Sequence, residues 1–426
     1  TTSKSMSASS RVSRRRGQLP SESVMFRLGI NYWPTRSAMG MWSDLDTTET
    51  GEDFARIAEA GFDCVRIFLL WEDFQPEPDE VSTRHLDDLV AVADVARDAG
   101  LSLMPTLFTG HMSGANWVPA WVLDRSRSCG RFRTIAGGRA VMAGIRNWYE
   151  DDELGRAQAL LAREAATALG GHPALWAWDL GNEPSNCVLP ATAEHARRWL
   201  DTMTEALGEQ SPGTPVTLGL HQQDLEENRL LGPREAADSL AFASMHGYPA
   251  YAAWSRHRAD DGVPVFLGLL TRWLSGPEVL LAEFGAPTRP DQRGDLHGLR
   301  LLGEDEAAAY TRQVLEALHH FGFLGALLWC FADYDPALKN EPPFDEAPHE
   351  MSFGLWRSDG SPKPALKVVR DFGAREKTAA RADLGWIDVT PEEYLTDPAR
   401  HLERLYTAFT AAWAEPTRRG PEPLPA

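Results

Sequence analysis

Two glutamates, each closing an apolar run, carry the chemistry most legible in this chain. Glu183 follows Ala174-Leu-Trp-Ala-Trp-Asp-Leu-Gly-Asn and precedes Pro184, and Glu283 follows Val279-Leu-Leu-Ala. Both runs read as buried strands that stop at a carboxylate. In a barrel of parallel strands the C-terminal strand ends share one rim, and chemistry sits on that rim. Two carboxylates there can cleave a glycosidic bond: one protonates the leaving oxygen, and the other attacks or polarises the sugar carbon. Other polar or aromatic residues fall in or just after predicted strands: Arg66, His111, Asn182, His246, Tyr248 and Trp329.

The elements that must position them alternate. Apolar strand-like runs are expected over residues 27–31, 64–70, 101–107, 174–182, 215–220, 239–245, 279–283 and 324–330. Helical periodicity falls at 50–61, 83–100, 153–170, 191–207, 263–274, 304–321 and 364–372, with glycines closing the helices near Gly61, Gly100 and Gly170. Eight strands alternating with helices give an α/β class, a (β/α)₈ TIM barrel over residues 25–374. Two stacked α/β domains are the alternative, but no change of composition divides the middle of the chain. Residues 108–152 read as a long loop that holds Trp117, Trp121 and Trp148. Residues 375–426 form a C-terminal helical extension, with one amphipathic helix at 398–413, expected to pack on the barrel because so short a segment rarely folds alone.

Composition narrows the partners. The chain has 426 residues and a net charge of −19, which disfavours nucleic acid and anionic membrane surfaces while leaving a neutral polyol unopposed. The N-terminal residues 1–24 are rich in Ser and Arg and contain no apolar h-region, so they read as a disordered leader and not as a secretory signal. That points to the cytoplasm, with secretion left open. Four cysteines without Cys-x-x-Cys spacing indicate neither a zinc site nor a redox motif, and Cys64 and Cys330 sit inside apolar runs. No metal or organic cofactor is implied. The extension offers a surface for a second copy of the chain.

The rim residues together resemble glycoside hydrolase clan A, and family 5 in particular. The family carries Asn-Glu-Pro at strand four, a second Glu at strand seven, Arg on strand two, His-x-Tyr on strand six and Trp on strand eight; here these are Asn182-Glu183-Pro184, Glu283, Arg66, His246-Gly-Tyr248 and Trp329. The resemblance spans residues 27–372 and implies a retaining reaction with Glu183 as acid/base and Glu283 as nucleophile. Arg66 and Tyr248 would keep Glu283 ionised, Asn182 would bind the sugar 2-hydroxyl, and Trp329 would floor the −1 site. Plainer roles compete: Arg66 pairing with Asp179, His246 as a hydrogen-bonded core residue, Trp329 as barrel core.

The substrate reading rests on fifteen tryptophans, several of them near strand ends, and on three segments. Gly29-Ile-Asn-Tyr-Trp-Pro34, Val65-Arg-Ile-Phe-Leu-Leu-Trp71 and Gly110-His-Met-Ser113 are similar to family members that cleave β-mannosides, including actinobacterial-type exo-β-mannosidases. The expected activity is therefore an exo-β-mannosidase on short β-mannosides, with His111, Trp33 and Trp117 as further sugar contacts. An endo-β-1,4-mannanase or β-glucanase is the alternative within the class, and a glycan-binding barrel without turnover is the alternative outside it. The chain departs from the family pattern at His111, which sits in Phe-Thr-Gly-His-Met-Ser, and in having the extension.

Overall fold

Eight strands, each buried along nearly its whole length, pair in parallel and close on themselves. They are β1 (Arg27–Asn31), β2 (Cys64–Phe68), β3 (Ser102–Phe108), β4 (Trp178–Asn182), β5 (Val216–His221), β6 (Ala243–His246), β7 (Val279–Phe284) and β8 (Gly325–Leu328). Neighbours in sequence are neighbours in space, and β1 pairs with β8 to shut the barrel. Strands covered on both faces read as unbroken apolar runs, which is why they stand out in the sequence. This computed structural model describes residues 25–413 except 277, 290–293, 297–298 and 382–383. The leader expected over residues 1–24 and the tail beyond 413 lie outside the described residues.

Each strand is followed by a helix of the outer ring: α1 (Thr47–Glu59), α2 (Thr83–Asp98), α3 (Asp152–Leu169), α4 (Ala193–Gly208), α5 (Pro233–Ser239), α6 (Gly262–Ser275), α7 (Glu304–His320) and α8 (Pro364–Phe372). Side chains at the helix starts fix several boundaries. Asp46, Ser82, Asp151 and Thr192 accept from backbone N–H groups that the first turn cannot satisfy internally. No helix among the described residues is long and apolar enough to cross a membrane.

Three expectations change. Residues 108–152 are not a featureless loop: Gly110–Met112, Ala115–Trp117, Arg133–Ala136 and Arg139–Val141 form a four-stranded sheet, and Leu123–Asp124 pairs with Gly144–Ile145. Strands this short carry no readable alternation. Helix α5 was not expected, and it displaces the start of β6 from residue 239 to Ala243. The third is a further short helix, α9 (Pro391–Thr396), which precedes α10 (Pro398–Trp413) in the extension.

The extension lies against the barrel wall. Tyr406 packs among Trp254, Phe266 and Phe409, and its hydroxyl donates to the buried Asp260, which also holds Arg256. The Tyr394 hydroxyl donates to the Leu225 carbonyl. Leu405 is wholly buried in the same seam. Leu405→Ala is therefore expected to lower the unfolding free energy by about 2–5 kcal/mol, measured by urea denaturation. Turnover of the folded protein should be unchanged, because Leu405 does not line the cavity described below.

Candidate active site

Arg66 organises the rim. It points inward from β2 and is completely buried. Its Nη1 donates to Glu283 Oε1 at 2.6 Å and to Asn31 Oδ1 at 3.1 Å. Nη2 donates to Asp179 Oδ2 at 2.6 Å and to Asn182 Oδ1 at 2.8 Å, while Nε reaches Asp179 Oδ2 and Thr106 Oγ1, each at 3.0 Å. The two sequence readings of Arg66 both hold: it pairs with Asp179 and with Glu283. The guanidinium fits because β5 carries Gly219 opposite; a Cβ there would lie 2.9 Å from Nη2 and 3.1 Å from His246 Nε2.

The backbone re-aims both glutamates. The β4–β5 pairing slips between Asp179 and Asn182, and the β6–β7 pairing slips between Met245 and His246. Such bulges turn side chains out of the regular alternation. Glu183 itself adopts a left-handed conformation, φ 48° and ψ 48°, which is costly for a residue with a Cβ and concentrates at functional sites. Gly110, at φ +64°, lets the segment after β3 pass close by; a Cβ there would sit 2.7 Å from the Asn182 carbonyl.

The two carboxyls are held in different states. Tyr248 donates to Glu283 Oε2 at 2.7 Å, so both Glu283 oxygens accept hydrogen bonds. Burial pushes the Glu283 carboxyl up to about 7, and Arg66 and Tyr248 pull against it. Among the described residues no cation contacts Glu183, since the neighbouring His221 and His246 rings are neutral. Burial first and the Glu283 charge second raise its carboxyl well above the usual range, so of the two it is the one that keeps a proton. His246 lies between them, with Nδ1 2.9 Å from Glu183 Oε1 and 3.5 Å from Glu283 Oε2. Burial and the Arg66 charge hold that imidazole neutral, its pKa well below normal.

A cavity of about 450 Å³ opens over this pair, lined by His111, Asn182, Glu183, His246, Tyr248, Glu283 and Trp329 among others. Those seven expected residues are brought together there. His111 is buried, its pKa lowered to about 4 by desolvation, and Nδ1 hydrogen-bonds Asn116 Oδ1 at 2.8 Å. Asn182 also donates to the His111 carbonyl. Trp33 and Trp117 are not among the lining residues. Trp33 stacks on Phe68 at 5.4 Å beneath the rim, and Trp117 donates to the Met112 carbonyl inside the excursion after β3. Trp254 is turned toward Tyr406. Aromatic residues near strand ends are as easily drawn into packing as into a pocket.

Among the lining residues that the sequence did not point to, Glu350 and His221 bear most on the chemistry. Glu350, from the segment between β8 and α8, accepts from Tyr251 at 2.7 Å and Ser113 at 3.2 Å. Burial would push its carboxyl up, but His349, Tyr251 and Ser113 hold it below the usual range, so it is ionised. His221 closes β5 and belongs to a buried chain with Ser185 and Asp224 beside Glu183. Its signal was present: it ends an apolar run, as the glutamates do. Glu350 sits in no pattern a sequence displays.

One group among the described residues could hold a metal ion by proximity: atoms of Glu183, His246 and Glu283 lie within 4.8 Å of one another. The donor set fits poorly. Both Glu283 oxygens already accept from Arg66 and Tyr248, and an ion there would be placed beside the guanidinium charge. Two carboxyls this close to one another, with His246 between them, suit a double displacement, in which acid and nucleophile flank one bond.

No protein-family model and no curated protein sequence matches the chain. Solved structures do. A GH5_18 protein from Streptomyces cattleya, in complex with GlcNAc, superposes with a TM-score of 0.77 at 24% identity over 93% of each chain. A variant of a GH5_18 protein from the same organism, in complex with Manβ1-4GlcNAc, gives 0.76, again at 24% identity and over 93% of each chain. The exo-β-1,4-mannosidase Op5Man5 from Opitutaceae bacterium strain TAV5 gives 0.67 at 27% identity, over 82% of this chain and 61% of that one. The chain has the fold of these glycoside hydrolases.

A protonated Glu183 beside an ionised Glu283 makes turnover bell-shaped in pH. Rate should be lost on the acid side as the pair takes up its second proton, near neutrality because burial raises Glu283 to about 7, and on the alkaline side as Glu183 ionises. The kcat/KM of an aryl glycoside between about pH 4 and pH 10 checks this; a flat profile would remove the acid assignment.

Proposed function

We propose that the chain is a retaining exo-β-mannosidase that releases single mannose units from the non-reducing end of short β-mannosides. One observation carries the reading: Glu183, which keeps its proton, and the ionised Glu283 bring oxygens within 4.8 Å of each other at the floor of one cavity. Glu283 attacks the anomeric carbon while Glu183 protonates the departing oxygen. Glu183 then takes a proton from water as the glycosyl–Glu283 ester is cleaved. Arg66 and Tyr248 hold the nucleophile's oxygens in place before attack, and preset partners of that kind need no reorganisation during the reaction. Trp329 offers an aromatic face to the sugar, and Asn182 keeps one amide hydrogen for the 2-hydroxyl.

The wall supports exo action. Segments after β3 and β8 are clamped over the cavity. Arg133 Nη1 donates to Asp345 at 3.0 Å and Nη2 to the Pro343 carbonyl at 2.9 Å. Glu350 joins both segments to the loop after β6 through Ser113 and Tyr251. An endo-acting enzyme needs a cleft open at both ends, and these ties obstruct one. Mannose is supported by the neighbours: one is an exo-β-1,4-mannosidase, and another holds Manβ1-4GlcNAc. The latter is the first natural disaccharide to try.

Initial rates on an aryl β-mannoside and the matching β-glucoside decide the sugar, and mannose release from Manβ1-4GlcNAc decides the direction of attack. Clear mannoside preference with no cleavage inside a polymer is expected. Polymer cleavage without aryl mannoside turnover would replace the exo reading with an endo one. Glu283→Ala should lose at least about 10⁴-fold in kcat while still binding the disaccharide. Near wild-type turnover in that variant would take Glu283 out of the mechanism, and disaccharide binding without turnover in the wild type would make the chain a glycan binder.

A further inference from the structure

The buried chain beside Glu183 fixes one imidazole in a single state. Asp224 is fully enclosed. Its Oδ1 accepts from the Ser185 hydroxyl at 2.5 Å and its Oδ2 from the His221 backbone N–H at 3.0 Å. The only hydroxyl hydrogen of Ser185 is thereby committed to Asp224. Arg229 Nη1 also donates toward Ser185 Oγ at 3.4 Å. Toward His221 Nε2, 2.9 Å away, Oγ can only accept, so Nε2 carries the ring hydrogen. Burial and the nearby Arg229 charge keep the ring neutral. Nδ1 is then a bare lone pair, 4.0 Å from Glu183 Oε2, on a residue that lines the cavity. That gap is too long for a direct hydrogen bond. It is the span of one water: an oxygen about 2.8 Å from each atom would see them roughly 90° apart.

We propose that His221 positions the hydrolytic water of the second half-reaction. This rests on Glu183 as acid/base. The water donates one hydrogen to Glu183 Oε2 and the other to His221 Nδ1, which leaves an oxygen lone pair free to face the anomeric carbon. The new C–O bond forms as the bond to Glu283 breaks, and that electron pair returns to the Glu283 carboxylate. One proton moves to Glu183, and the other hydrogen stays on the product's anomeric hydroxyl, still donated to His221. The first half-reaction needs only the Glu183 proton. His221 therefore acts on deglycosylation, and an alcohol acceptor with a single O–H does not use it.

The test is pre-steady-state release of nitrophenol from a nitrophenyl β-mannoside, with and without methanol. His221→Ala should show a burst near one equivalent per enzyme, then a steady rate at least about tenfold below wild type. The ratio of methyl mannoside to mannose should rise by about the same factor. Ser185→Ala keeps the imidazole but frees its tautomer, and should move both readouts the same way by less. Equal slowing of both phases with an unchanged methanol ratio, in both variants, overturns the proposal. Nitrogen-15 NMR of the wild-type imidazoles reads the tautomer without turnover: His221 should be protonated on Nε2 alone, and a proton on Nδ1 overturns it. Failure of the wild type to release nitrophenol, with the expected tautomer seen, counts against the mannosidase reading and not against the His221 geometry.

Discussion

The site depends on one guanidinium closed off from bulk solvent. Arg66 is enclosed by the barrel and faces two carboxylates, Asp179 and Glu283. A buried cation with one acid would balance; with two, the cluster carries an excess negative charge. That excess adds to burial in setting the state of the next carboxyl along the rim, because Glu183 cannot also ionise without adding charge in a medium that screens it poorly. The same guanidinium ties strands together. It holds Asn31, whose amide donates to the Ala282 and Leu328 carbonyls, so β1, β2, β4, β7 and β8 meet around one side chain. Electrostatics and barrel closure share one residue, and a lysine, with a point charge and no fork, could not serve all these acceptors at once.

Barrel and loops divide the labour. Acid, nucleophile and their supports sit on strand ends, where the backbone is rigid. The enclosing wall comes from segments after β3, β6 and β8, tied through Arg133, Ser113, Tyr251 and Glu350. Reactivity and substrate length are thus governed by separate parts of the chain, which is how one scaffold serves many glycosides.

Much of this was legible in the sequence because its physics is local. Strands buried on both faces leave continuous apolar runs, and long amphipathic helices such as α10 show their period over several turns. Strand-end polarity then picks out Arg66, Asn182, Glu183, His246, Tyr248 and Glu283 without knowledge of their contacts. What stayed hidden depends on the third dimension. The sheet inserted after β3 is built from strands of two to four residues, too short for alternation to register. Helix α5 is a seven-residue element whose one cue was Pro233 after Gly232. Trp33 and Trp117 have the composition of sugar platforms and the placement of core, since nothing in a single residue says which way it turns. Glu350 earns its place by crossing to Ser113, 237 residues earlier in the chain.

The closing pair of the barrel has a temporal side. β1 must wait for β8, and Arg27 meets Gly325 only after about 300 more residues have left the ribosome, roughly 15–60 s at ordinary synthesis rates. Throughout that interval the first strand presents an unpaired apolar edge, the kind of surface that recruits chaperones or aggregates. The covering helix α10 emerges later still. Yield in a foreign host will therefore respond to translation speed and chaperone supply as much as to the stability of the finished barrel.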